Sequence, residues 1–134
     1  MELGQIARGM LDRAEVCVVV MDAAKQLSER EEATFTDLVK SALNSKCQEL
    51  VLVLNKVDLV HPKTDLLDRT AELVQIINRE KGREETDDTF DTTTFMISAL
   101  QNDGVLDLKN YLLGAAKPGE WYVVHTVTFL FTWI

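Results

Sequence analysis

The sequence is poor in three features: positive charge, long apolar runs and cysteine. The scarcity of each one argues against a different class of protein or site. Positive charge is the first, because 14 lysines and arginines stand against 22 acidic residues, which gives the 134 residues a formal net charge of −8. That sign disfavours non-specific binding to nucleic-acid phosphates. Long apolar runs are the second. No stretch is long enough to span a membrane and the N-terminus carries no apolar signal core, so we expect no membrane partner.

Cysteine is the third scarce feature. The chain has only Cys17 and Cys47, and both lie in or beside predicted strands. Neither is spaced with a histidine in the way that metal ligands are. We therefore expect two buried thiols in a reducing compartment and no metal site.

Apolar runs and amphipathic segments alternate along the chain. Strands are predicted at 15–22, 49–54 and 94–97. Helices are predicted at 2–12, from Ser28 through Leu43, at about 63–81 and at about 105–116. Glu31 stands three residues after Ser28, as in a capping box. This order predicts an α/β fold, in which a parallel sheet carries helices on both faces.

Polar residues follow the predicted strands at the points where each strand ends. They are Asp22, the segment 55–58 and the segment 98–100. In open parallel sheets, ligands bind beyond the carboxyl ends of the strands, so these clusters form a candidate site. Asp22 is interpreted chiefly as a turn residue, because turns after strands favour aspartate.

The segment Asn55-Lys56-Val57-Asp58 has the chemistry to recognise a guanine base. The Asp58 carboxylate can accept hydrogens from the ring N–H and the exocyclic amino group of guanine, a pair of donors that adenine does not present. Asn55 can donate to the imidazole nitrogen of the base and brace a neighbouring loop, and the Lys56 stem can cover the flat face of the base. Turns after strands favour Asn and Asp in any case, so this motif alone is only suggestive.

A second motif makes the guanine interpretation specific. The N-K-x-D pattern resembles the guanine-specificity motif of the TRAFAC-type GTPases, which is followed in those proteins by a short strand ending in Ser-Ala. Ser98-Ala99-Leu100 stands in that place after the strand TFMI. The resemblance implies that a backbone N–H of this loop points at the guanine carbonyl oxygen. Both motifs, in order and each at the end of a predicted strand, favour a site for GTP or GDP.

The flanking residues resemble the Era family of GTPases. The segments that carry the resemblance are AEVCVVVMDA, LVLVLNKVDLV, the SAL motif and YLLGAAKPGEW, within about residues 1–121. The resemblance implies a three-layer P-loop-NTPase-like sheet and a role in small ribosomal subunit assembly. In the family, rRNA is bound through a C-terminal KH domain, which we do not expect in these 134 residues. The acidic loop at 82–94 is similar to that of organelle-type members, which implies the mitochondrial matrix or another organelle, or the cytoplasm for a bacterial protein.

The chain departs from the Era pattern at its N-terminal side. Gly4 and Gly9 have phosphate-loop spacing, but Met10 and Leu11 follow where Lys and Ser or Thr are needed. The switch threonine and the D-x-x-G motif are also missing from the sequence. We therefore expect a partial fold of three strands, the C-terminal half of a G domain, with weak nucleotide binding, no Mg²⁺ site and no hydrolysis by this chain alone.

The tail from 122 to 134 departs from the family as well, because the family has a polar linker to the KH domain there. Its apolar, uncharged sequence favours a truncated or spliced product. The strand at 15–22 is expected to have an open edge, and an exposed, self-associating tail is preferred over one that folds back as a strand. The alternative function is a non-enzymatic fragment that docks on a partner protein.

Overall fold

The computed structural model describes residues 11–82, 92–119 and 129–131. The helices and strands are β1 (Val16–Asp22), α1 (Glu29–Leu43), β2 (Glu49–Asn55), α2 (Asp65–Glu80), β3 (Thr94–Met96), α3 (Val105–Ala115) and β4 (Phe129–Phe131). Short 3-10 turns are present at Leu11–Arg13 and Val57–Leu59. Most of the predicted helix at 2–12 and of the acidic loop at 82–94 lies outside the described residues, as does Trp121.

The strands form one parallel sheet in the order β3-β2-β1-β4. β1 and β2 pair along their whole length, from Val16 opposite Glu49 to Asp22 opposite Asn55. β3 pairs with the second half of β2. The three predicted strands and their helices are thus confirmed as an α/β arrangement consistent with part of a P-loop GTPase fold. The register also sets two polar strand ends, Asp22 and Asn55, side by side.

The outer edge of β1 differs from our expectation. Val18, Val19 and Val20 pair in parallel with Phe129, Leu130 and Phe131 of β4. An open edge at these three residues was therefore a wrong prediction. An unpaired strand presents a row of backbone donors and acceptors, and the alternating Val, Thr and Phe of the tail suit a strand that satisfies them. Residues 122–128 and 132–134 lie outside the described residues, and self-association stays a prediction.

The sheet separates two apolar layers. Leu52 and Leu54 face α1 and α2, where they join the cluster that contains Phe35, Val39 and Ile77. The alternate β2 residues Val51 and Val53 join Ile97 and Leu108 in a second cluster on the α3 side. This alternation follows from the two-residue period of a strand, and burial on both faces accounts for the continuous apolar run of β2.

The ends of the helices largely follow the predicted signals. Ser28 and Glu31 form the reciprocal capping box, in which the Ser28 N–H donates to the Glu31 carboxylate at 2.9 Å. The helix predicted from about residue 63 begins at Asp65 and ends at Glu80, before Gly82 with its positive φ of 72°. Cys17 is buried as expected, whereas Cys47 is only half-buried, at the surface end of the same cluster. Within the described residues, no helix has the length and apolar character needed to cross a membrane.

Candidate functional site

Backbone hydrogen bonds join the carboxyl ends of three strands into one edge of the sheet. The Ala23 N–H, just after β1, donates to the Asn55 carbonyl at 2.8 Å. Beyond β3, the Ile97 N–H donates to the Leu54 carbonyl at 2.8 Å, and the Ile97 carbonyl accepts from Val57 at 3.2 Å. The predicted polar clusters therefore meet at a single place, which we call the ligand edge.

The Asn55 side chain links the two predicted motifs. Its Oδ1 accepts from the Lys56 N–H at 2.8 Å and from the Ala99 N–H at 3.0 Å, across a sequence separation of 44 residues. Both bonds use the amide oxygen, and no described residue accepts from the amide nitrogen. The predicted bracing of a neighbouring loop is thus a direct contact, and the amide N–H groups stay available as donors.

The backbone makes a sharp turn directly after Asn55. Lys56 has a φ of 66°, in the left-handed region that side-chain-bearing residues seldom adopt. Val57 is buried and begins the following 3-10 turn, and the Lys63 ammonium donates to its carbonyl oxygen. The buried Val57 side chain and the bond from Lys63 hold the start of the turn that carries Asp58.

The Asp58 carboxylate lies at the ligand edge with its hydrogen-bond acceptors unused by the described residues. Its residue is half-buried on this turn. Across the ranges 11–82, 92–119 and 129–131, no group donates a hydrogen bond to this carboxylate or pairs with its charge. A fixed carboxylate in this condition can accept two parallel hydrogen bonds from a planar ligand.

Asp22 has two donors, unlike Asp58. Its Oδ1 accepts from the Ala24 N–H at 2.9 Å, which is the expected turn contact. Its Oδ2 accepts from the Lys56 Nζ, also at 2.9 Å. Partial burial acts to raise the pKa of Asp22, but the bonds from Lys56 and Ala24 outweigh it and hold that pKa below its ordinary value. The sequence gives no signal for this ion pair, because its members lie 34 residues apart.

The loop at 98–100 is tied back onto itself. Ser98 is buried, and its backbone exchanges two 3.0 Å hydrogen bonds with Asp103. Its hydroxyl oxygen accepts from the Gln101 N–H at 3.2 Å. Since Ala99 donates to Asn55, the Ser98 and Ala99 N–H groups both have acceptors. The Leu100 N–H has none among the described residues, and the Leu100 residue is 87% exposed.

Comparison with known proteins bears on this arrangement. The model of the Elongation factor Tu GTP binding domain family matches residues 4–118. The chain belongs to this GTP-binding domain family. Membership implies that the ligand of the fold is a guanine nucleotide.

Individual relatives are Era-like. GTPase Era of Brucella suis is 37% identical over 111 residues, which cover 81% of this chain and 29% of that protein. GTPase Era of Brucella melitensis is 35% identical over 109 residues, with the same coverage. GTP-binding protein ERG of Antirrhinum majus is 29% identical over 109 residues, which cover 80% and 23% of the two chains. The chain is therefore an Era-like G-domain fragment, and it spans less than a third of the length of these relatives.

Gly104 is a further residue that shapes the loop of the candidate site. Its φ is 70°, and an added Cβ would lie 2.6 Å from the Met96 carbonyl oxygen. Only glycine fits, because both the backbone conformation and the contact exclude a side chain. The N-D-G turn indicated a bend here, but the close approach to β3 required the structure. Gly104 thereby closes the loop that carries Ser98 and Ala99.

Metal-binding residues do not gather in the described part of this GTP-binding domain. Across 11–82, 92–119 and 129–131, no three His, Cys, Asp or Glu side chains form a group that could hold a metal ion. The two histidines of the sequence are His61, in the loop before α2, and His125, outside the described residues.

Proposed function

We propose that Asn55, Lys56 and Asp58, together with the Ser98-Ala99-Leu100 loop, recognise the guanine base of GTP or GDP. The observation that carries this proposal is the 3.0 Å bond from the Ala99 N–H to the Asn55 Oδ1, since it joins the two motifs beside the Asp58 carboxylate, to which no group of the described residues donates. Family membership implies a guanine nucleotide, and the geometry supports the base as the part of it that these residues contact.

Each group has one task in the proposed complex. Asp58 accepts hydrogen bonds from the ring N–H and the exocyclic amino group of guanine. Adenine does not present such a pair of donors. Asn55 donates its amide N–H to the imidazole nitrogen of the base. It can do so because its two bonds within the protein use only Oδ1. The Lys56 stem lies against the base. The Leu100 N–H, which lacks an acceptor in the described residues, donates to the guanine carbonyl oxygen.

Affinity is expected to be low for this chain on its own. Phosphate contacts from a glycine-rich loop normally dominate nucleotide binding in P-loop proteins, and the sequence contains no G-x-x-x-x-G-K-[ST]. We expect a Kd for GTP in about the millimolar range. Hydrolysis by this chain should be undetectable, because no phosphate-loop lysine or Mg²⁺-binding hydroxyl is present in the sequence. Any Mg²⁺ would enter with the phosphate site of a longer Era-like protein.

The wider role follows from the Era relatives. We propose that residues 1–121 are the C-terminal half of an Era-like G domain and that residues 122–134 are a separate tail. A role in small ribosomal subunit assembly, binding to rRNA and a location in an organelle are proposed on the same resemblance. The alternative of a protein-docking fragment has less support, because β4 covers the edge of β1 that such a partner would pair with.

The test of base recognition is Asp58→Asn. The parent should bind GTP at least about tenfold more tightly than ATP, since the paired charge-assisted hydrogen bonds are lost with adenine. The variant should lose this preference and favour xanthosine triphosphate, which presents an oxygen where guanine has its amino group. Isothermal titration with the three nucleotides measures the change.

The matched control is Asp37→Asn, which makes the same chemical change on the exposed surface of α1. It should bind all three nucleotides as the parent does. Equal affinity of the parent for GTP and ATP would contradict the proposal. A micromolar, Mg²⁺-dependent Kd would show instead that the chain holds a phosphate site.

A further inference from the structure

Asp22 lies in the candidate site without a role in the base contacts proposed above. It ends β1, directly opposite Asn55 in the parallel register, and its side chain is 22% exposed. One carboxylate oxygen accepts the Ala24 N–H and the other accepts the Lys56 ammonium, each at 2.9 Å. The turn bond holds the carboxylate in place, so that the position of the ammonium is fixed as well.

A purely structural role for this ion pair has little support. The ends of β1 and β2 are already joined by the 2.8 Å bond from the Ala23 N–H to the Asn55 carbonyl. The Lys56 side chain is half-exposed, at 50%, and ion pairs in such positions contribute little to stability. The main effect of the ion pair is therefore on the position of the Lys56 side chain, and its effect on the stability of the sheet is small.

The two carboxylates of the ligand edge are consequently used for different purposes. Asp22 binds the only lysine of the N-K-x-D turn, and Asp58, two residues after that lysine, has no donor in the described residues. Without Asp22, the ammonium would be free to pair with Asp58 and compete with a base for it. With Asp22, the four-carbon stem is held between two fixed points, its backbone and its ammonium.

We propose that Asp22 is a positioning residue of the guanine site, which orients the Lys56 stem for the base and keeps the ammonium away from Asp58. This inference rests on the proposed function of the site. It adds a positioning residue from β1 to two motifs that both come from later in the chain.

The test is a chemical-shift titration of the full chain with GMP, in the parent and in Asp22→Asn. The asparagine keeps an oxygen that can accept from Ala24 and loses the charge that holds Lys56. We expect GMP to bind about three- to fivefold more weakly to the variant, within the range of partly exposed ion pairs. Asp22→Glu should recover part of the loss, because it restores the charge. Asp37→Asn again serves as the control of equal charge change, and it should bind as the parent does.

Ionic strength provides a readout that a structural role would not move. Raising it from about 0.05 M to about 0.5 M screens the ion pair. The affinity for GMP should therefore fall by a larger factor in the parent than in Asp22→Asn, and the phosphate of GMP contributes equally to both. Amide spectra recorded without GMP show whether the variant keeps the parental fold.

The outcomes separate the inference from the function on which it rests. If the parent shows no shift changes with GMP, the proposed function is overturned, and this inference with it. If the parent binds GMP and Asp22→Asn binds equally well with the same salt dependence, the positioning role is overturned and the proposed function stands. Weaker binding that Asp22→Glu does not restore at all would also overturn it, because charge at this position would then be irrelevant.

Discussion

The two flanks of β1 are built differently. On one side β2 pairs with all seven residues from Val16 to Asp22. On the other side, within the part of the chain that the structure describes, β4 pairs with three of them, Val18 to Val20. Both neighbouring strands are parallel to β1. The two flanks therefore differ in the length of the paired segment and in the apolar packing around each neighbouring strand.

The β2 flank is part of the hydrophobic core. Val51, Leu52 and Val53 are fully buried, in apolar layers on both faces of the sheet. The polar ends of the same two strands, Asp22 and Asn55, begin the ligand edge. The β4 flank contributes backbone hydrogen bonds to an edge that is otherwise open in the described residues. We infer that the β2 flank holds the fold and the site, whereas β4 mainly protects the edge.

The largest effect should follow from a substitution on the β2 flank. Leu52→Ala removes a fully buried side chain at the centre of the sheet. We expect it to lower the free energy of unfolding by about 2–5 kcal/mol, because apolar burial is lost and a cavity remains. Urea denaturation followed by circular dichroism measures the change.

Leu67→Ala is the matched control, since Leu67 lies on α2 and is 64% exposed. It should cost less than about 1 kcal/mol, as surface substitutions generally do. Similar losses in the two variants would contradict the assignment of the core to the β2 flank.

The same contrast explains how much the sequence could predict. β2 was predictable because burial on both faces requires a continuous apolar run, and its end was predictable because Asn55 to Asp58 is a local motif. The capping pair of Ser28 and Glu31 is local too. The partner of β4 was not predictable, since alternating Val, Thr and Phe indicate a strand without specifying which edge it joins. The Asp22–Lys56 pair, likewise, depends on strand register.

The β4 flank is tested by ending the chain at Gly119. We expect the shortened chain to keep its fold, because both apolar clusters lie within residues 11–119. It should lose about 1–2 kcal/mol with the few hydrogen bonds of β4. More importantly, the opened edge at Val18 to Val20 should promote association with other strands. Sedimentation velocity over a range of concentrations should show more association than in the full chain.

A control separates the open edge from the shorter chain. Residues 120–134 are replaced by a glycine–serine sequence of the same length, which cannot supply an apolar strand. This variant should associate as the shortened chain does. If both variants sediment like the full chain, β4 does not protect the edge. If both variants associate less than the full chain, the tail itself causes self-association, as we expected from the sequence.

The smallest effect concerns Cys17, which pairs with Leu50 on the β2 flank. Burial, with a smaller contribution from nearby Cys47, raises the pKa of the Cys17 thiol from 9.0 to about 12. The folded protein therefore retains this proton to a higher pH than the unfolded chain does. The resulting stabilisation is complete below about pH 9 and is lost progressively as the pH rises towards 12.

Cys17→Ala removes this titration and keeps every other titratable group of the chain. Between about pH 8 and pH 10, the free energy of unfolding of the parent should fall more steeply than that of the variant, by about 1 kcal/mol at the upper end. Urea denaturation in the presence of a reductant measures both slopes, and comparing slopes cancels the constant cost of the smaller side chain. Parallel slopes would mean that water reaches Cys17, and hence that the β2 flank is less tightly closed than its buried leucines and valines indicate.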